Sequence, residues 1–242
     1  MIRRFLLSTT ALLAVAGSGL AADLPYREPP PVYTPPVPIF TWTGVYLGGQ
    51  LGYGWGADSF TVFAPASAFY GQKFTPNGIV GGAHVGYNLQ LSQIVLGLEG
   101  DVEGTGYNTA FNSGVITLGT RLPVQGSIRA RLGFALDRVL LYATGGVAFT
   151  GFTHTYSSFL GYDTVNSAHA GWTVGGGLEY AVTNNWSVRA EYRYSDFGTF
   201  NENPFNSAPG SFVQHHETEN EVLAGFSYKF DAFGPAPVAA KY

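Results

Sequence analysis

Trp186-Ser-Val-Arg-Ala-Glu-Tyr-Arg-Tyr-Ser195 is the stretch that decides the fold. Trp186, Val188, Ala190, Tyr192 and Tyr194 take the even positions; Ser187, Arg189, Glu191, Arg193 and Ser195 take the odd ones. Side chains alternate faces along a strand, so this segment has one apolar, aromatic face and one charged face. In a soluble sheet the apolar face packs on a core and the other meets water. In a closed transmembrane barrel the apolar face meets lipid and the charges point inward. The rest of the chain chooses between these settings.

Seven more runs keep the same period. Val45, Leu47, Leu51, Tyr53 and Trp55 oppose Tyr46 and Gln50, and Ile79, Val85, Tyr87 and Leu89 oppose His84, Asn88 and Gln90. Ile94, Leu96, Leu98 and Val102 oppose Glu99, Asp101 and Glu103, and Ile128 to Leu136 set alternate apolar residues against Arg129 and Arg131. Val139, Leu141, Val147 and Phe149 face away from Tyr142 and Thr144, as Trp172, Val174, Leu178, Tyr180 and Val182 do from Thr173 and Glu179. The last run sets Val222, Ala224, Phe226, Tyr228 and Phe230 against Glu221, Ser227 and Lys229. Eight strands is an even number, as single-chain bacterial barrels require.

The connections alternate short and long. Ser92-Gln93, Asp137-Arg138 and Thr183-Asn184-Asn185 read as tight hairpin turns. Ala57 to Pro76, Tyr107 to Thr120, Thr153 to His169 and Phe200 to His216 read as long loops, all at the other end. Short periplasmic turns with long extracellular loops are the asymmetry of an outer-membrane barrel, whereas a soluble sandwich has no reason for it. The spacing therefore predicts an all-β, eight-stranded antiparallel transmembrane barrel over residues 42–230. Trp42 and Trp186 start upward strands, Trp55 ends one and Trp172 starts a downward one, which predicts four interfacial aromatics.

The ends agree with export. Residues 1–21 read as a signal peptide, with Arg3 and Arg4, an apolar run from Phe5 to Val15, and a small-x-small site at Gly19-Leu-Ala21. Without Arg3 and Arg4 the 12 basic residues fall to 10 against 16 acidic, so a nucleic-acid footprint is absent. No cysteine is present, which excludes disulfide and thiolate chemistry. Residues 22–41 hold seven of the 14 prolines and read as a semi-rigid periplasmic segment. Residues 231–242 lose the alternation, contain Pro235 and Pro237, and read as a periplasmic tail.

Phe40 to Trp55, with Leu96-Gly-Leu-Glu-Gly-Asp101, Arg129-Ala-Arg-Leu-Gly-Phe134, Leu141-Tyr-Ala-Thr-Gly-Gly146 and Ala190-Glu-Tyr-Arg-Tyr194, resembles the small outer-membrane surface antigens of alphaproteobacteria. That family, the outer membrane immunogenic protein group with its OmpA-like barrel, matches across roughly residues 40 to 230. The resemblance implies an eight-stranded, porin-like barrel in the outer membrane, with haem binding reported for some members. It also implies that Gly225, Tyr228 and Phe230 act as an internal assembly signal, although the family's signal ends the chain and here residues 231–242 follow. Outer-membrane lipid, the barrel-insertion machinery and periplasmic chaperones are the partners expected.

Inside such a barrel, Glu99, Asp101, Glu103, Glu179, Glu191 and Glu221 meet Arg129, Arg131, Arg189, Arg193 and Lys229. Eight strands enclose a space that side chains just fill, so these charges are expected to pair into a plug rather than line a channel. Enzymatic function is not expected: Ser167 and His169 are the one tempting nucleophile and base pair, and no glycine-flanked nucleophile motif accompanies them. His154, His169, His215 and His216, with Glu217 and Glu219, fall in or beside the long loops. Their spacing matches no metal motif, so they read as solvated and no metal site or cofactor is expected, haem resting on the resemblance alone. The function expected is a structural surface antigen without an open pore that supports envelope integrity; a narrow porin, or an exterior receptor for haem or a surface ligand, are the alternatives.

Overall fold

The computed structural model describes residues 40–230, apart from 65–66, 113–115, 204–205 and 207–209. The signal peptide, the Pro-rich segment up to residue 39 and the tail from 231 lie outside the described residues. Among the described residues nine strands follow in order: β1 Gly44–Ala64, β2 Ser67–Phe74, β3 Asn77–Leu91, β4 Ile94–Asn112, β5 Ile116–Leu136, β6 Val139–Ser158, β7 Tyr162–Ala181, β8 Trp186–Glu202 and β9 Phe212–Lys229. Each pairs antiparallel with its neighbour, and β1 closes the ring on β9 from Tyr46↔Lys229 to Phe63↔Phe212.

Nine segments make eight walls. β1 pairs with β3 along Gly44 to Trp55 and with β2 along Asp58 to Ala64, so β2 and β3 occupy one wall interrupted at Thr75-Pro76. Proline has no N–H to give the ladder, and its carbonyl is used instead, accepting from Gly56 N at 2.7 Å. Outward residues carry the lipid-facing band: Leu51 is 63% exposed, Ile79 66% and Val102 64%. The short turns stand where the sequence places them, with Ser92 and Asp137 in the left-handed region at φ 59° and 53°.

The opposite end differs from the loops expected there. Most of the four long connections is sheet: β1, β4, β5, β6 and β7 run 19 to 21 residues, about twice the 9–11 that span a bilayer. The reason lies in an inversion of polarity along single strands. Lower on β6, Leu141, Val147 and Phe149 face out while Tyr142 and Thr144 are buried. Higher up, Phe152, His154 and Tyr156 are buried while Thr153 and Thr155 lie on the outer face. Beyond the lipid the outside is water, so the wall holds together only by turning apolar groups inward. A reading tuned to apolar-out alternation therefore loses the strands at that boundary.

Among the described residues three buried clusters occupy the interior. Near the short turns, Trp42 packs with Val95, Ala135, Leu140, Tyr142 and Ala181. Phe152, Phe197, Tyr107, Leu122 and Val80 belong to a second, and Phe60, Tyr156 and Val213 form a third toward the long-connection end. Glycines make room for the large inward rings; a Cβ on Gly86 would lie 2.4 Å from the Tyr46 hydroxyl.

Candidate functional site

Inward parity and strand register bring ten of the eleven charged residues together. Arg129, fully buried on β5, is the hub: its Nη2 donates to Glu99 Oε1 at 2.7 Å and to Asp101 Oδ2 at 3.1 Å. Its Nη1 donates to Glu191 and, at 3.2 Å, to Thr144 Oγ1. Arg189 Nη1 reaches Glu99 Oε2 at 2.6 Å, and Arg131 pairs with Glu179 while its guanidinium lies 3.7 Å over the Tyr142 ring. Arg193 joins Asp101, Glu103 and Glu221 at 3.4, 3.1 and 3.4 Å and Glu191 at 3.2 Å. Charges so thoroughly out of water persist only because each finds several partners.

Neutral side chains complete this network: alternation placed Tyr46, Gln50 and Tyr142 on the inward face without a role, and Gln125 was not among the residues expected there. Tyr46 donates to Glu99 at 2.8 Å and Tyr142 to Glu191 at 2.9 Å, while Gln125 bridges Glu103 and Glu221. Gln50 donates to Glu103 and accepts from Arg189. All share the inward parity of the charges, which was the signal available. The space left is small: the cavity among Asp101, Glu103, Gln125 and Arg193 is about 10 Å³.

Lys229 stands apart from these ten. Its ammonium donates to the Thr41 carbonyl and lies 5.0 Å over the Phe40 ring, at the short-turn rim. It is the last residue of β9, where a long side chain escapes to the edge more readily than it enters the lumen.

Trp42 is corrected as well. Trp55, Trp172 and Trp186 are outward, at 37, 51 and 47% exposure, but Trp42 is buried. Its Nε1 donates to the Asp137 carbonyl at 3.2 Å and its backbone N–H to Gln90 Oε1 at 2.8 Å. It precedes β1, so no ladder dictates its face, and the chain tucks it under the barrel. Of the assembly residues, Phe230 is exposed, its N–H donates to the Val45 carbonyl at 2.8 Å, and its ring meets Tyr228 at 5.1 Å. Trp186, the register partner of Tyr228 on β8, lies 5.1 Å from its ring, and Gly225 pairs with Gln50 across the seam.

The histidines expected in solvated loops divide. His216 is exposed, and His169 stacks on Phe200 at 3.8 Å, while the Ser167 hydroxyl donates to Glu202 Oε1 at 2.9 Å rather than engaging His169. His154 and His215 are fully buried, their rings 4.7 Å apart, beside Asp58 and Glu217. This cluster lies beyond the lipid-facing band, on the extension where polarity has inverted. Burial, then His215 and His169, pushes the His154 imidazole down to about 3. Burial, with Asp58 and Glu202, pushes the Glu217 carboxyl well above its usual range.

Residues 37–230 match the family described as the outer membrane protein β-barrel domain. The chain is 35% identical over 233 residues to a 31 kDa outer-membrane immunogenic protein of Brucella melitensis, covering 89% of this chain and 95% of that one. It is 33% identical over 231 residues to a 25 kDa outer-membrane immunogenic protein of Brucella abortus, covering 95% and 99%. Among solved structures, the outer membrane protein OprG of Pseudomonas aeruginosa aligns with a TM-score of 0.48 at 11% identity, over 78% of this chain and 96% of that one.

Proposed function

The chain belongs to the outer membrane protein β-barrel family, and from that premise we propose that it is a non-conducting structural barrel of the outer membrane. In this reading it presents its long-connection end as a surface antigen and supports the integrity of the envelope. One observation carries the proposal: the lumen is filled by a cross-linked set of four arginines and six carboxylates, each held by partners on other strands. An ion crossing it must displace Arg129 or Arg193 from several partners at once, and the free space beside Arg193 suits about one water. The names of the Brucella relatives, outer-membrane immunogenic proteins, support the antigen part of the reading.

Single-channel recording of the refolded full-length chain in a planar bilayer tests this. Quiet membranes, with insertion verified by the heat-dependent gel shift of a folded barrel, are the expected result. Reproducible conductance steps would overturn the plug and make the protein a narrow porin.

A further inference from the structure

We propose that the barrel holds a divalent transition-metal ion of the zinc type, ligated by Asp58, His154, His215 and Glu217. Asp58 on β1 and Glu217 on β9 are register partners across the closing seam, and His215 follows the same face of β9. His154 comes from β6, on the far side of the barrel. One donor atom from each of the four lies within 4.8 Å of the others, and all four residues are buried.

Around the cluster, metal-ligating atoms face one another at short range. Tyr156 donates its one proton to Glu202 Oε2 at 2.7 Å, so its oxygen accepts from His215 Nε2–H at 2.9 Å. His215 Nδ1 in turn lies 3.2 and 3.3 Å from the two Asp58 carboxylate oxygens. On the opposite side the Thr120 hydroxyl and His154 Nδ1 share a hydrogen bond at 3.3 Å. That leaves His154 Nε2 facing Glu217 Oε1 at 3.6 Å, and neither of these two atoms has a hydrogen-bond partner. Two buried ligand atoms without a hydrogen-bond partner, His154 Nε2 and Glu217 Oε1, beside two carboxyls paired across one seam, are what a cation between them satisfies.

The dimensions suit such an ion. Four ligands at about 2.1 Å from a tetrahedral zinc stand about 3.4 Å from one another. The two nitrogen–oxygen pairs already stand at 3.2 and 3.6 Å, so closure asks for movements of about 1 Å across the wider separations. Two imidazoles with two carboxylates favour zinc-like ions over calcium or magnesium, which take shells of oxygen. Tyr156 and Glu202 then form the outer layer that fixes the His215 tautomer. The ion would tie the seam of the extension to its opposite wall.

The test uses the untagged full-length chain refolded in detergent, with and without Zn2+, and stripped with a chelator. One Zn2+ per folded barrel is expected by calorimetry. His154→Gln and His215→Gln should each weaken it at least tenfold, and Tyr156→Phe, which removes no ligand, by about 10–100-fold. His216→Gln should leave affinity unchanged. Co2+ bound to the unmutated chain should give the intense visible bands of four-coordinate nitrogen and oxygen ligation, which decides the matter if a variant fails to fold. Failure to bind one equivalent, a weak six-coordinate cobalt spectrum, or loss of binding with His216→Gln alone would overturn the proposal.

Discussion

Replacing Arg129 by Ala tests whether the lumen is a dry plug or a watery passage. Removing one partner of a buried ion pair costs about 3–5 kcal/mol, because the other charge is left uncompensated. Here three carboxylates lose a donor, but none is orphaned. Glu99 keeps Arg189 at 2.6 Å, Asp101 keeps Arg193 at 3.4 Å, and Glu191 keeps Arg193 at 3.2 Å with Tyr142 at 2.9 Å. The remaining partners place the expected loss at the lower end, about 3 kcal/mol. Reversible urea unfolding in phospholipid vesicles, followed by tryptophan fluorescence, measures it. A cycle with Glu191→Gln should return a coupling of about 1–3 kcal/mol between the two positions, since they share the network directly. A loss below about 1 kcal/mol, the worth of a solvated pair, would mean that water rather than neighbouring side chains satisfies these charges. The plug would then be abandoned.

Leu132→Arg, on the outer face at 57% exposure, should cost about 2–4 kcal/mol in the same assay. Phe159→Arg, at the exposed tip between β6 and β7, should stay within about 0.5 kcal/mol; equal effects would refute the placement of the lipid band. Gly52→Val should block closure and abolish the heat-dependent gel shift, because a Cβ there would lie 2.0 Å from the Val222 carbonyl oxygen. Gly151→Ala, where a Cβ meets nothing within 4 Å, should fold normally, and failure of both would point to glycine flexibility rather than close approach. In single-tryptophan variants, brominated lipids should quench Trp172 and Trp186 but spare Trp42, and quenching of Trp42 as strong as that of Trp186 would contradict its buried position.

Alternation is a local property, and the sequence alone determined whatever depends on it. Residues two apart share a face, so the runs from Val45 to Phe230 showed eight crossing strands, the outward Leu and Val band, the inward arginines and carboxylates, and the short turns at Ser92 and Asp137. Lipid enforces this contrast along the whole crossing, which is why it was legible without a partner strand. Which inward groups meet is not local. Arg189 reaches Glu99 across 90 residues and Asp58 reaches His215 across 157, and both contacts depend on the register and closure of the ring. Trp42 lies before the first ladder, so only tertiary packing could turn it inward. Above the lipid the pattern inverts, with Phe152, His154 and Tyr156 inside and threonines outside. Water no longer demands an apolar exterior there, and strands that read as polar loops continue as sheet. The same inversion carried two histidines from an apparent surface into the interior, where closure of the barrel set them beside Asp58 and Glu217.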